Sequence, residues 1–192
     1  MLDDKYWSVR YQENTDSWDI GDVSTPLKNI IDTISNKNLR ILIPGCGNAY
    51  EAIYAFQQGF QHVYVLDYAK EPLENFANKY PDFPKEQILL GDFFKHEAKY
   101  DILLEQTFFC ALDPILRIDY VKKCHELLNE KGSIQGVLFN CEFEKEGPPF
   151  GGNINEYQKL FEPYFIIKKM DICTDSIAPR MGREITIYLE KK

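Results

Sequence analysis

Short apolar runs alternate with amphipathic stretches along most of the chain. The apolar runs have the length of strands and are bounded by turn-forming residues, whereas the stretches between them repeat with the period of a helix. Strands are predicted over 40–43, 62–67, 87–90, 100–105 and 133–139, and helices over 49–58, from 71 onward and over 113–129. This alternation predicts an α/β domain with a mostly parallel sheet.

The C-terminal part of the chain departs from this alternation. A helix is predicted over 154–161, and two strands over 164–172 and 184–190 follow it with no helix between them. Strands so close in sequence are expected to pair as an antiparallel hairpin at one edge of the sheet. The predicted fold is therefore a Rossmann-like, seven-stranded, mostly parallel sheet with a C-terminal antiparallel edge hairpin.

Composition indicates one domain. No internal repeat, low-complexity tract or linker interrupts the 192 residues, and 44% apolar residues can fill one sizeable core. We expect a single domain over 1–192, with N-terminal helices and a lid over 1–35 and a Rossmann-like core over 36–192.

Charge and cysteine content narrow the class of protein. A net charge of −8 argues against a nucleic-acid partner, because phosphates would be repelled. No apolar run approaches the ~20 residues that span a bilayer, and the first residues do not resemble a signal peptide. Five scattered cysteines form no CxxC pair or Cys/His cluster, which favours reduced thiols over disulfides or zinc. We expect a cytoplasmic protein with no metal site, no nucleic acid and no membrane partner.

Two glycines and an aspartate follow the first two predicted strands. Gly45 and Gly47 end the first strand, and Asp67 ends the second strand 20 residues beyond Gly47. In an open α/β sheet, ligands bind at the carboxyl ends of the strands, where glycines let the backbone approach closely. A carboxylate at Asp67 can accept both hydroxyl hydrogens of a ribose. The same residues would also fit a tight turn and a helix cap.

Residues at two further places in the sequence narrow the class of ligand that is expected. A dinucleotide fingerprint places a third glycine where this chain has Tyr50, which disfavours a nicotinamide oxidoreductase and leaves a nucleoside without a diphosphate. Asp92 and Phe93 follow the third strand, where a carboxylate can receive an adenine amino group and an aromatic ring can cover the base. A turn aspartate and a core phenylalanine are the alternative interpretation.

The segment before the first strand concentrates aromatic residues. Trp7 and Tyr11 are spaced i, i+4 and can share one helical face, and Trp18 follows them. Such a group either covers a ligand as a lid or packs in a core.

Several motifs occur in the order in which one known family carries them: Trp18-Asp19-Ile20-Gly21, Thr25-Pro26, Ile43-Pro44-Gly45-Cys46-Gly47, Val65-Leu66-Asp67, Gly91-Asp92-Phe93-Phe94 and the run over 105–111. With these motifs the chain resembles the thiopurine S-methyltransferase family over about 7–184. It is most similar to the thiol and halide methyltransferase branch known from plants, which the segments 147–150 and 180–184 also resemble.

The resemblance implies a class I methyltransferase fold, S-adenosylmethionine as methyl donor and S-adenosylhomocysteine as product. It implies a cofactor site that holds the methionine moiety at the turn over Gly45–Gly47, called the glycine turn below. The ribose would lie at the end of the second strand and the adenine after the third strand. An aromatic lid would cover the cofactor, and Tyr11 stands in this lid where relatives often carry tryptophan. The cofactor-binding residues implied are Trp7, Tyr11, Trp18, Gly45, Gly47, Asp67, Asp92, Phe93 and Gln106.

Glu105 and Gln106 follow the fourth strand and are the candidate catalytic residues beside the methyl donor. The plant branch has Asp-Tyr there, so the acceptor need not be inherited from it. A solvated strand end is the alternative for Glu105.

The acceptor is expected to be a small, soft nucleophile such as a thiol, a thiopurine or a halide. An activated methyl group is transferred by in-line displacement, and a thiolate or halide needs no strong general base. An apolar pocket that desolvates the nucleophile is predicted from Phe108, Phe139, Pro149 and Phe150, with core packing as the alternative for Phe108 and Phe139. Arg180 and Arg183 are candidates for attracting an anionic group, and solvated surface arginines are the alternative for both.

Glu105 would repel a halide, so neutral or aromatic thiols rank above halides. The protein is expected to act as a monomer on a small molecule. The alternatives are an N- or O-methyltransferase and a non-catalytic S-adenosylmethionine-binding protein.

Overall fold

Seven strands form one mixed sheet in the computed structural model, which describes residues 2–13, 15 and 18–192. The strand order is β3-β2-β1-β4-β5-β7-β6, and β7 runs antiparallel to both of its neighbours. The strands are β1 Arg40–Pro44, β2 His62–Asp67, β3 Ile88–Leu90, β4 Tyr100–Glu105, β5 Leu128–Phe139, β6 Phe165–Ile172 and β7 Glu184–Lys191. The predicted mostly parallel sheet and its antiparallel edge hairpin are confirmed, with β7 lying between β5 and the edge strand β6.

Helices cover both faces of the sheet. They are α1 Asp4–Gln12, α2 Thr25–Thr33, α3 Tyr50–Gln57, α4 Lys70–Lys79, α5 Arg117–Leu127 and α6 Ile154–Phe161. Successive residues of the central strands are buried on opposite faces, because side chains alternate along a strand. Ile41 packs with the apolar residues of α2, α3 and α4, whereas Leu42 packs with those of α5 and α6.

The region around α5 differs in detail from the sequence prediction. The predicted helix over 113–129 begins with a separate 3-10 turn at Pro114–Leu116 before α5. The strand predicted from 133 begins at Leu128, and its pairing with β4 shifts register between Tyr100 and Ile102. Lys131 adopts a left-handed conformation with φ of 63°, which lets the chain turn inside the irregular part of β5.

The N-terminal helices lie in different environments. Leu27 and Ile31 of α2 are fully buried in the core, whereas α1 has no buried residue. Helix α1 lies against α4, where the Gln12 side-chain amide donates to Glu71 Oε1 at 2.6 Å. Helix α1 therefore lies on the surface of the domain.

Within the described residues, no helix has the length and apolar character needed to cross a membrane. The same residues contain no group of three or more His, Cys, Asp or Glu side chains arranged to hold a metal ion.

Candidate active site

A cavity of about 680 Å³ opens at the carboxyl ends of the parallel strands, beneath α1. This volume falls in the range of roughly 300–1,000 Å³ that is typical of small-molecule sites. The cavity brings together most of the site residues predicted from the sequence, namely Trp7, Tyr11, Trp18, Gly45, Asp67, Asp92, Phe93, Phe108, Phe139, Pro149 and Arg180. Residues that are far apart in the sequence therefore meet at one end of the sheet.

A second, polar cavity of about 70 Å³ lies beside the first. The two cavities share walls at Tyr11, Trp18, Gly45, Thr107 and Arg180. Gly47 and Gln106, also predicted from the sequence, line only this smaller cavity, together with Asp19, Asn48 and Glu51. The smaller cavity therefore extends the larger one past the glycine turn.

The glycine turn needs both of its glycines. Gly45 and Gly47 have φ angles of 57° and 51°, in the left-handed region that L side chains rarely adopt. A Cβ atom on Gly45 would lie 2.7 Å from Cγ of Phe108, and one on Gly47 would lie 2.8 Å from the hydroxyl oxygen of Tyr11. The absence of these side chains lets two aromatic walls approach the turn.

Asp67 holds the glycine turn and also faces the cavity. Its Oδ2 accepts from the Gly47 N–H at 2.8 Å, and its Oδ1 accepts from the Ala69 N–H at 2.9 Å. Burial raises the pKa of Asp67, while the N–H groups of Ala69 and Gly47 act in the opposite direction. Because each carboxylate oxygen has two lone pairs, both can accept a further hydrogen bond from a ligand. The cap-like role and the cavity-lining position expected from the sequence thus coexist.

Asp92 and Phe93 line the large cavity directly after β3. Asp92 Oδ1 accepts from the Phe94 N–H at 2.9 Å, which closes a turn after β3. The Phe93 ring contacts Phe108 edge to face at 5.1 Å between centroids and stacks on Tyr120 at 5.6 Å. Phe93 is therefore a core residue whose ring also borders the cavity.

The three aromatic residues of the N-terminal segment form one cluster above the cavity. The Trp18 ring meets Trp7 and Tyr11 edge to face, with centroid separations of 5.6 and 5.9 Å. The Trp18 carbonyl accepts from Nη2 of Arg180 at 2.9 Å, which ties this segment to the turn before β7. All three residues line the large cavity, so the cluster forms part of its wall.

The structure corrects the expectation that Glu105 faces the methyl donor. Glu105 is 1% exposed and lines neither cavity. Leu104 and Gln106 line the smaller cavity, and side chains alternate along a strand, so Glu105 points to the opposite face. It is not a solvated strand end either, because its carboxylate is enclosed by the turn over 106–109 and by Tyr120 of α5.

At the smaller cavity, the Gln106 side chain connects Ser24, which precedes α2, to Arg180, which precedes β7. In the amide orientation that gives both the oxygen and the nitrogen a hydrogen-bond partner, the oxygen accepts from Nη1 of Arg180 at 2.7 Å. In this orientation the nitrogen donates to Ser24 Oγ at 2.6 Å. The same nitrogen lies 3.3 Å from Oε1 of Glu51. Gln106 is thus placed beside the glycine turn, where a cofactor contact was predicted.

Glu51 is a site residue that the sequence reasoning missed. It lies in the first turn of α3, and burial raises its pKa to about 7. Arg180 lowers the pKa of Glu51, whereas the negative charges of Asp19 and Asp22 raise it. A glutamate in the first turn of a helix is common for reasons of the helix dipole alone, so its sequence position carries no distinctive signal.

The outer part of the large cavity is lined mainly by apolar residues, with Asp113 as the charged residue among them. Phe108, Phe139 and Pro149 were predicted there; the additional lining residues are Cys110, Ala111, Leu112, Ile115, Leu116 and Pro148. The latter group was missed mostly because 109–116 forms 3-10 turns without a helical or strand period. Burial raises the pKa of the Cys110 thiol, which keeps this cysteine un-ionised.

Two predicted pocket residues lie outside both cavities. Phe150 donates its backbone N–H to the Cys110 carbonyl at 2.7 Å and lines neither cavity, contrary to the prediction. The guanidinium group of Arg183 lies over the Phe143 ring at 4.8 Å, away from the cavities, so only Arg180 of the two arginines borders the site.

The sheet order with an antiparallel β7, and a cavity at the ends of its parallel strands, define the fold of class I S-adenosylmethionine-dependent methyltransferases. The 1,6-didemethyltoxoflavin-N1-methyltransferase of Burkholderia thailandensis, solved with S-adenosylhomocysteine, superposes with a TM-score of 0.75 at 16% identity, covering 98% of this chain and 86% of that one. Magnesium protoporphyrin IX methyltransferase from Synechocystis PCC 6803, also solved with S-adenosylhomocysteine, gives 0.73 at 12% identity and 98% coverage of both chains.

Sequence comparison identifies the family to which the chain belongs within this fold class. The family model of thiopurine S-methyltransferase (TPMT) matches residues 2–190, and the chain belongs to this family. A probable thiol methyltransferase 2 of Arabidopsis thaliana is 29% identical over 185 residues, covering 93% of this chain and 81% of the relative. Thiopurine S-methyltransferase of Vibrio campbellii is 26% identical over 181 residues, covering 85% and 84%. The protein is thus an S-adenosylmethionine-dependent methyltransferase of the S-methylating kind.

Proposed function

We propose that this enzyme methylates small thiols of apolar or aromatic character. The observation that carries the proposal is the apolar outer part of the large cavity, which adjoins the glycine turn at Gly45. S-adenosylmethionine, when bound, supplies a methyl group on a positively charged sulfur, which a soft nucleophile displaces.

The inner part of the site suits the donor. The cradle left by Gly45 and Gly47 would receive the methionine end, the free lone pairs of Asp67 the ribose hydroxyls, and Asp92 with Phe93 the adenine. Trp7, Tyr11 and Trp18 would cover the donor as a lid.

The smaller cavity suits the charged amino-acid end of the donor. Glu51 shares this cavity with Asp19 and Asp22, and Arg180 is the guanidinium that faces them. A site with this excess of carboxylates favours a cation, and the donor's ammonium group would be a suitable partner for Glu51.

Desolvation and orientation are the contributions expected from the protein to the reaction. Phe108, Phe139 and Pro149 would remove water from the sulfur and hold it in line with the methyl group. Such positioning at about 3–3.5 Å supplies several kcal/mol of the barrier. No histidine or lysine is present among the described residues that line the large cavity, and this lining suits an acceptor that ionises easily by itself.

Electrostatics favour aromatic thiols over halides. Asp67, Asp92 and Asp113 line the large cavity, while the guanidinium groups of Arg10 and Arg180 already donate to Tyr6 and Trp18. A small inorganic anion would meet this negative surface and few apolar contacts, whereas an aromatic thiol can bury its ring against the apolar wall.

The five free cysteines support a reducing compartment such as the cytoplasm.

The test is a rate comparison over a panel of acceptors, measured as release of S-adenosylhomocysteine. The panel contains thiophenol, 4-nitrothiophenol, hydrosulfide, thiocyanate, iodide, phenol and aniline. We expect the aromatic thiols to have the highest kcat/KM. A faster reaction with phenol or aniline would instead indicate an O- or N-methyltransferase, and binding of S-adenosylhomocysteine without any turnover would indicate a sensor.

A pair of exposed isoleucines provides a matched control. Ile115 is 78% exposed and lines the cavity, whereas Ile166 is 43% exposed on the edge strand β6 and does not. Ile115→Ala should raise the KM for thiophenol several-fold and leave hydrosulfide unaffected, and Ile166→Ala should change neither. Equal effects of the two variants would contradict the assigned acceptor site.

A further inference from the structure

The carboxylate of Glu105 anchors the turn that follows β4. Its Oε1 accepts from the N–H groups of Phe108 at 3.0 Å and Phe109 at 2.9 Å, and its Oε2 accepts from the Tyr120 hydroxyl at 2.6 Å. Three hydrogen bonds from two elements therefore converge on one carboxylate that is 1% exposed.

The anchored turn lies between the two cavities. Thr107 lines both cavities and has a φ of 61°, so its backbone is held in an uncommon conformation. The Phe108 ring is packed so closely on the glycine turn that a Cβ atom on Gly45 would not fit. A change in the position of this turn would move the wall against which the acceptor lies.

The groups around Glu105 are neutral or weak acids. Tyr120 and Cys124 face it from α5, and Cys110 faces it from the 3-10 turn at Phe109–Ala111. Burial raises the pKa of Glu105 to about 7, and the Phe109 N–H, the Tyr120 hydroxyl and the Phe108 N–H oppose this increase. Both protonation states of this buried carboxyl are therefore accessible near neutral pH.

We propose that Glu105 is a positioning residue whose ionised carboxylate holds the Thr107–Phe109 turn in the geometry that accepts the thiol. This inference rests on the proposed S-methylation of thiols. An ionised carboxylate accepts hydrogen bonds about twice as strong as those of a neutral group. Protonation removes the charge that strengthens the bonds from the Phe108 and Phe109 N–H groups, and it turns Oε2 from an acceptor into a donor toward Tyr120, so the turn loosens.

The experiment measures kcat/KM for 4-nitrothiophenol at pH values on both sides of 7, where this thiol is already ionised. S-adenosylmethionine is kept saturating, because its ammonium group beside Glu51 would hold that carboxylate ionised over the whole range. For the unmodified enzyme we expect kcat/KM to rise with pH by roughly fivefold to tenfold, the effect of converting one neutral hydrogen bond into a charge-assisted one. Glu105→Gln mimics the protonated state and should be independent of pH at the low value. Glu86→Gln, an exposed glutamate outside both cavities, is the matched control and should keep the full pH response.

Tyr120→Phe provides a second test that does not remove the carboxylate. The Tyr120 hydroxyl lowers the pKa of Glu105, so its loss should move the midpoint of the pH response to a higher pH. Calorimetry with S-adenosylhomocysteine should show less than a twofold change in Kd for both variants, which separates acceptor positioning from donor binding.

The outcomes distinguish this inference from the proposed function. A pH response that persists in Glu105→Gln, a midpoint that does not rise in Tyr120→Phe, or no pH response in the unmodified enzyme would overturn the positioning role. If Glu105→Gln does not fold, the midpoint in Tyr120→Phe decides. If the unmodified enzyme methylates no thiol, the proposed function itself is wrong.

Discussion

Replacing Gly45 with alanine tests how closely the aromatic wall approaches the glycine turn. The added Cβ would lie 2.7 Å from Cγ of Phe108, well inside the ~3.5–4.0 Å of an optimal carbon contact. The substitution also places an L side chain at a φ of 57°, which costs about 1–2 kcal/mol. Moving a packed ring away costs a further ~1–3 kcal/mol. We therefore expect Gly45→Ala to lower the free energy of unfolding by roughly 2–5 kcal/mol.

Gly59 separates the two contributions. It has a φ of 89°, but a Cβ atom there would meet nothing within 4 Å, so Gly59→Ala carries the backbone cost alone. The free energy of unfolding of each variant is measured by urea denaturation. The double variant Gly45→Ala/Phe108→Ala completes a mutant cycle, in which removal of the ring should recover the steric part of the loss.

The reasoning is refuted if Gly45→Ala destabilises the protein no more than Gly59→Ala, or if truncation of Phe108 gives no recovery in the cycle. The affinity for S-adenosylhomocysteine is a second, independent measurement of the effect of the added Cβ atom. Because Gly45 lies at the junction of the two cavities, Gly45→Ala should weaken the binding of S-adenosylhomocysteine, and Gly59→Ala should not.

Three further predictions concern the donor site. Asp67→Ala should weaken S-adenosylhomocysteine binding by about 1–3 kcal/mol, because ribose hydroxyls would lose a charged acceptor; unchanged affinity in calorimetry would sink this assignment. Glu51→Gln should weaken S-adenosylhomocysteine but not 5′-methylthioadenosine, which lacks the amino-acid end, and an equal loss for both ligands would place Glu51 elsewhere. Amide hydrogen exchange in α1 (Asp4–Gln12) should slow when S-adenosylhomocysteine is added, since the lid closes over the ligand, and exchange that stays equally fast would argue against a lid.

Asp67 shows why a single substitution can have two readouts. Its carboxylate accepts from the N–H groups of Gly47 and Ala69, so alanine at this position also leaves two backbone donors without their partner. An unsatisfied buried donor costs about 1–3 kcal/mol, and stability has to be measured beside affinity. The affinity is compared at a temperature at which the variant is fully folded.

Local sequence patterns were sufficient for most of the fold. The predicted strands over 62–67 and 100–105 and the helix over 154–161 coincide with β2, β4 and α6 in the structure. These segments are short apolar runs or an amphipathic helix, so burial of their own side chains dictates their conformation. The glycines at 45 and 47 were likewise readable, because a left-handed turn at a strand end requires that residue type.

The direction of a side chain at a strand end could not be read from the sequence. Glu105 is the last residue of β4 and Gln106 follows it, and both were expected beside the donor. The register of β4 sends Glu105 into the core toward Tyr120 and Gln106 toward the smaller cavity. Likewise, Phe150 uses its backbone to support the pocket wall and keeps its ring out of the cavity.

The sequence by itself thus determined the succession of strands and helices along the chain, the glycine turn and the acidic residues at the strand ends. Each of these features depends on interactions within a few residues. Only the tertiary structure decided which of these side chains share a cavity. Glu51, Cys110 and Ile115 join the site because α3 and the 3-10 turns pack next to strand ends that are distant in the sequence. Burial then set the electrostatics, because only packing from several elements removes water from Glu51 and Glu105 and raises the pKa of each to about 7.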